Sequence, residues 1–136
     1  MSPGSEAVLL SGGCFCGELR YQADSPTFHE TNCHCSICRR TTGAPFVTWF
    51  SVRSRDFRFV KGVPTRFNSS THGTRSFCPR CGAQLTFESS DFRDEIDITT
   101  ASLDDPAQVP PRDNTWTTNR LGWIAPDGLP EYPESR

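Results

Sequence analysis

The residues best equipped for chemistry are seven cysteines, in three clusters: Cys14-Phe15-Cys16, Cys33-His34-Cys35 with Cys38 close behind, and Cys78-Pro79-Arg80-Cys81. Zinc takes soft ligands in a tetrahedron, and a Cys-x-x-Cys turn supplies two of them at once. Cys78 and Cys81 form such a turn. Gly82 after it can take a positive φ that lets backbone amides face the sulfurs. Cys14 and Cys16, followed by Gly17, can likewise aim both sulfurs at one ion. The two pairs together predict a four-thiolate structural zinc site that closes a long loop. Cys33, Cys35 and Cys38 supply three ligands and lack a fourth, which predicts a second zinc with an open position. The expected load is two Zn²⁺ per chain.

Other uses of the sulfurs stand beside this reading. The two pairs could be disulfides or buried core residues, although an odd number of cysteines fits a purely disulfide framework poorly. The trio could be a redox-reactive cluster or a structural site completed by a histidine. His34 lies between two ligands of an extended segment, where alternation points its side chain away from theirs. It is expected to pack or hydrogen-bond behind the site. His29 and His72 read as surface residues. Arg39 and Arg40 adjoin the trio, where they could offset thiolate charge or hold a substrate carboxylate. Arg75 and Arg80 read as parts of a solvated face.

Short strands must position these groups. Period-two runs occur at Glu18 to Ala23, Pro45 to Phe50, Phe57 to Val60, Gln84 to Phe87 and Glu95 to Thr99. Leu19 and Tyr21 share one face, and the run through Phe50 suggests a strand covered on both sides. Turn signals separate the runs at Gly12-Gly13, Lys61 to Pro64, His72-Gly73 and Asp127-Gly128. Ser36 to Thr42 and Asp104 to Gln108 could each hold a helical turn. The pattern predicts an all-β fold of antiparallel sheets. Residues 1–10 read as a flexible leader and 11–136 as a single domain. From about Pro110 the chain reads as an irregular tail docked by Trp116, Trp123 and Leu129.

Bulk properties narrow the classes further. A chain of 136 residues fits one domain, and its hydrophobic fraction of 35% is low enough that metal cross-links would help hold it. A net charge of −2 gives no general attraction to nucleic acid or anionic membrane. No apolar run approaches the ~20 residues of a membrane span. The first ten residues lack the basic start and apolar centre of a signal peptide, so a cytoplasmic protein with reduced thiols is expected.

The motifs Gly13-Cys14-Phe15-Cys16-Gly17 with Arg20-Tyr21, Cys33-His34-Cys35-Ser36-Ile37-Cys38-Arg39-Arg40, and Phe77-Cys78-Pro79-Arg80-Cys81-Gly82 resemble the glutathione-dependent formaldehyde-activating enzyme family, which includes centromere protein V. Thr41 to Phe46, Leu103 to Pro106, and Trp123 with Asp127 to Pro130 extend the likeness, which covers nearly the whole chain from about Gly12. The resemblance implies a β-tent fold of small antiparallel sheets organised around zinc. It implies Cys14, Cys16, Cys78 and Cys81 as structural ligands, and Cys33, Cys35 and Cys38 as ligands of a catalytic zinc. It also implies a carbon–sulfur lyase that joins glutathione to formaldehyde as S-hydroxymethylglutathione. One departure is visible: the segment Pro110-Pro111-Arg112-Asp113 lacks the histidine expected there.

The donor set favours thiol chemistry independently. Three thiolates leave a zinc centre with a formal charge of about −1, a poor Lewis acid for water. Such a centre suits holding a fourth thiolate ionised, ready to attack an aldehyde carbon. His34, Ser36, Thr41 and Thr42 are nearby candidates for a proton donor. The expected partner is a small thiol such as glutathione, with no nucleic acid and no membrane. The rival class is a non-catalytic, zinc-stabilised binding module.

Overall fold

A computed structural model describes residues 8–135. The strands run in the order β1 (Leu9–Gly13), β2 (Arg20–Asp24), β3 (Phe28–Cys33), β4 (Val47–Arg53), β5 (Phe57–Lys61), β6 (Thr65–Asn68), β7 (Gly73–Phe77), β8 (Gln84–Ser89), β9 (Glu95–Thr99) and β10 (Asp113–Thr115). A helix, α1 (Ser36–Thr42), interrupts them after β3. One sheet has the order β1-β2-β5 and the other β10-β3-β4-β9-β8-β7-β6. The molecule is mostly β, as its alternating runs predict. Among the described residues the named strands pair antiparallel except β10 with β3, which run parallel, and an isolated parallel bridge joins Asn114 to Glu131.

The β4 strand divides the interior. It lies between β3 and β9, so both its edges are paired, and residues 47–52 are buried or half-buried on both faces. Phe50 and Val52 join the larger core, with Leu10, Tyr21 and Ala23 from the smaller sheet, Leu19 just before β2, and Leu85, Ile96 and Ile98 from the larger sheet. Val47 and Trp49, on the opposite face by alternation, join a smaller cluster with Cys33 and Cys38. Burying a side chain such as Phe50 fully contributes about 1.5–3 kcal/mol. The cysteine pairs and the trio therefore occupy different cores: Cys14 and Cys78 belong to the larger.

Two boundaries differ from the sequence reading. Of the leader expected over 1–10, residues 1–7 lie outside the described residues, whereas Leu9 and Leu10 already belong to β1 and Leu10 is buried. The tail from Pro110 is not wholly irregular, because β10 lies in it. Trp123 does not dock it, being 72% exposed. Trp116 does pack against the smaller core. Hydrogen bonds hold the remainder: Asn114 donates its amide to Pro130 O at 2.9 Å and accepts from Tyr132 N at 2.9 Å. An Arg120–Glu131 ion pair adds to these. The helical turn expected at Asp104 to Gln108 is a 3₁₀ turn at Pro106–Gln108.

Candidate metal centres

The first centre gathers residues 14, 16, 78 and 81 from the two glycine-ended turns. Their four Sγ atoms lie within 4.8 Å of one another. Cys14–Cys16 and Cys16–Cys78 are each separated by 3.7 Å. A tetrahedron with metal–sulfur bonds of about 2.3 Å has edges of about 3.8 Å, so the sulfurs are already spaced as zinc needs them. Gly17 and Gly82 both sit at φ 79, as the turns require. Backbone amides converge on the sulfurs: Leu19 N on Cys14 at 3.2 Å, Arg80 N on Cys78 at 3.3 Å and Cys81 N on Cys78 at 3.4 Å. Such donors favour thiolate over thiol. Hydrogen bonds from the Ala83 and Cys16 backbone, with help from neighbouring thiols, draw Cys81 down to about 6 despite burial.

The second centre stands where β3 ends and α1 begins. Cys33 is the last residue of β3, Cys35 caps α1, and Cys38 lies in its first turn. Cys35 Sγ accepts the Cys38 amide at 3.2 Å, so the cap and a ligand position share one side chain. Cys33 and Cys38 sulfurs are 3.6 Å apart, and all three sulfurs lie within 4.8 Å. The thiols do not ionise alike. The neighbouring Cys33 and Cys38 thiols hold Cys35 far below its usual value, against burial and with help from Arg75. Cys35, Cys38 and burial push Cys33 far up. No other Cys, His, Asp or Glu completes this group among the described residues. Both clusters could hold metal ions, and their donors suit zinc. All seven cysteines are free, so the disulfide alternative is not what the fold adopts.

His34 is not a fourth ligand. It is 2% exposed, stacks against Phe46 at 4.9 Å between ring centres, and places Nε2 3.3 Å from Asn114 Oδ1. Asn114 in turn donates to Asp127 Oδ1 at 2.9 Å. The ring therefore braces the segment between two ligand positions from behind. His29 and His72 are exposed, as expected. Thr41 and Thr42 spend their hydroxyl protons on Cys38 O, at 3.1 and 2.8 Å, and Ser36 is exposed.

The arginines are distributed differently from the sequence reading. Arg39 is half-buried and Arg40 exposed in the last turn of α1, and neither side chain has an ion pair or hydrogen bond among the described residues. Arg75, read as surface, is instead 4% exposed, with Nη2 3.6 Å from Cys38 Sγ. Its Nε donates to Ser69 Oγ at 3.0 Å, and its guanidinium lies 4.9 Å from the Phe87 ring centre and 5.8 Å from that of Trp49. Arg75 is 37 residues from Cys38 in sequence, and only the pairing of β6, β7 and β8 carries it there. The alternation of β7 alone could have flagged it, but Gly73-Thr74-Arg75-Ser76-Phe77 is too polar to read as a strand.

Comparison with known proteins agrees with this arrangement. The family of glutathione-dependent formaldehyde-activating enzymes matches residues 9–119. The chain belongs to this family. Among curated relatives, a Halomonas elongata protein with the provisional name glutathione-dependent formaldehyde-activating enzyme is 27% identical over 126 residues, covering 86% of this chain and 80% of that one. An uncharacterized lyase of Schizosaccharomyces pombe is 28% identical over 76 residues, covering 56% of this chain and 55% of that one. A crystal structure of a Rhodobacter sphaeroides protein shares the fold, with a TM-score of 0.58 at 21% identity, over 90% of this chain and 98% of that one. Membership of the family points to glutathione-related formaldehyde activation or lyase chemistry. No helix among the described residues is long and apolar enough to cross a membrane.

Proposed function

We propose that the chain is a zinc-dependent carbon–sulfur lyase that adds a small thiol such as glutathione to formaldehyde or a related electrophile. The observation that carries this reading is the trio itself: three sulfurs converge within 4.8 Å with no fourth ligand among the described residues, in a chain of this family. Cys14, Cys16, Cys78 and Cys81 are assigned to a structural zinc, and Cys33, Cys35 and Cys38 to the catalytic one. Zinc held by three thiolates would supply a position for a substrate thiol and keep its sulfur ionised at neutral pH.

The balanced reaction is the addition of R–SH across the carbonyl of formaldehyde. The S–H bond and the carbonyl π bond break; a C–S bond and an O–H bond form, giving R–S–CH₂–OH. The chain's own residues orient and balance charge. Cys35 holds the start of α1 through its cap bond, which fixes Cys38 relative to Cys33. Arg75 places positive charge against Cys38, offsetting the accumulated thiolates. His34 keeps the intervening backbone rigid through Asn114. Arg39 and Arg40 are assigned to attracting the anionic thiol. Solvent screening at the half-buried Arg39 and the exposed Arg40 limits each to about 1 kcal/mol or less of binding. A reducing compartment, the cytoplasm, suits seven free thiols.

The test is loss of free formaldehyde in the presence of glutathione, measured against the uncatalysed reaction, with the Cys35→Ser variant alongside. Acceleration by the zinc-loaded chain and its loss in the variant supports the reading. Equal rates with and without protein, across several thiols, would instead leave a zinc-stabilised binding module.

A further inference from the structure

The larger sheet offers one face of β6, β7 and β8 beside the trio. Register places Phe67 opposite Arg75 and Gln84 opposite Phe77. These four residues and Thr41 of α1 line an open cleft of about 290 Å³. Two of them carry buried polar atoms with no partner: Arg75 Nη1 and Gln84 Oε1. A buried donor or acceptor left unmade costs free energy, so two such atoms on one cleft call for a ligand that satisfies both.

The rest of the guanidinium is already fixed. Ser69 holds Nε, Cys38 Sγ faces Nη2, and the rings of Phe87 and Trp49 flank the plane. Nη1 is the guanidinium nitrogen left without a partner. The missing partner of Arg75 is therefore an acceptor, best a carboxylate, since guanidinium stays charged and matches that group. The missing partner of Gln84 Oε1 is a donor. An α-amido carboxylate offers both one carbon apart, and its methylene would meet Phe67 and Phe77.

We propose that this cleft is a recognition subsite for the terminal α-amido carboxylate of a small peptide thiol, with Arg75 and Gln84 as its specificity residues. In glutathione that group is the glycyl end. The assignment rests on the thiol-binding reading of the trio, because Arg75 touches both the cleft and Cys38. A peptide placing its sulfur at the cluster would have its C-terminal residue at the cleft, within the span of roughly one to two residues at about 3.3–3.6 Å each.

Binding and chemistry are tested apart, on the metal-loaded full chain. The probes are glutathione, its glycyl ethyl ester, and the tripeptide with serine in place of cysteine, followed by calorimetry and by the Arg75 Nε–H resonance. The serine tripeptide should bind and shift that resonance, although it has no thiol. Esterification should weaken glutathione binding by about tenfold or more, through loss of a charge-assisted contact. Gln84→Glu should do the same, because a negative charge placed in the cleft repels the ligand's own carboxylate; Arg75→Lys is the second variant. Gln84→Glu keeps Arg75 in place, so a folding failure of Arg75→Lys leaves the test intact. Equal affinities of ester and acid, or of Gln84→Glu and the natural chain, overturn the subsite, as does an unmoved Arg75 resonance at millimolar serine tripeptide. If the tripeptide binds through Arg75 but no thiol consumes formaldehyde, the subsite stands and the lyase reading falls. If formaldehyde is consumed equally by the natural chain and Gln84→Glu, with equal affinities, the lyase reading stands and the subsite falls.

Discussion

Replacing Cys81 by serine removes one ligand from a cross-link that joins Cys16 to Cys78 across 62 positions of sequence. Treated as a closed loop of that length, the cross-link constrains the unfolded chain by about 4 kcal/mol. Loss of the ion's binding free energy can add to this, up to a total of order 10 kcal/mol. Domains of this size are stable by only about 5–15 kcal/mol, so the substitution should remove a large share of the total. Cys35→Ser makes the contrast. Cys33 and Cys38 are only 5 positions apart. The corresponding constraint is therefore about 2 kcal/mol. Serine is also a good helix cap, so α1 should keep its start. The assay is thermal unfolding by circular dichroism, with zinc counted in each sample. At roughly 3–5 °C per kcal/mol, Cys81→Ser should melt at least 10 °C lower or fail to fold. Cys35→Ser should remain a folded β protein with less zinc. Equal losses in the two variants, or an unchanged melting point for Cys81→Ser, would refute the division between structural and catalytic centres.

Chain prepared with ample zinc should carry two ions, and a mild chelator should take the trio's first; elemental analysis after timed dialysis reads both. With Co²⁺ in place of Zn²⁺, glutathione should intensify the thiolate charge-transfer absorption and its S-methyl analogue should not, since a thioether supplies no thiolate. Asp104 is held below its ordinary value chiefly by its hydrogen bond from Arg20. The bond is 2.9 Å long and about half-exposed, so Asp104→Asn should cost less than about 1 kcal/mol at neutral pH. Because the folded value is depressed, that difference should be present above the ordinary carboxylate range and vanish as pH falls through the folded value. Urea titrations of both chains at neutral and strongly acidic pH measure it.

The cysteine clusters were readable because spacing is a local property: residues two or three apart in a turn can bring their sulfurs together without long-range contacts. The strand at Glu95–Thr99 was readable for the same reason, its alternation being uninterrupted, and much of Val47–Arg53 was readable from a run apolar on both faces. Thr65–Asn68 and Gly73–Phe77 were not, because polar residues occupy both faces and only sheet pairing makes them strands. Arg75 escaped with them: an arginine in a polar pentapeptide looks solvated until β6 and β8 cover it. Trp123 misled in the opposite sense. Its bulk suggested docking, whereas the tail is pinned by backbone bonds from Asn114, and a side chain left at 72% exposure shows how poorly apolar content alone predicts a contact.

The β7 strand carries Arg75 toward one centre and runs directly into Cys78, which belongs to the other. Side chains alternate across a strand, so adding or deleting one residue between them would turn the guanidinium to the opposite face of the sheet. Arg75-Ser76-Phe77-Cys78 therefore serves both centres only as a block of fixed length. This short stretch acts as a surveyor's chain, setting the distance from the four-cysteine cluster to the three-cysteine one.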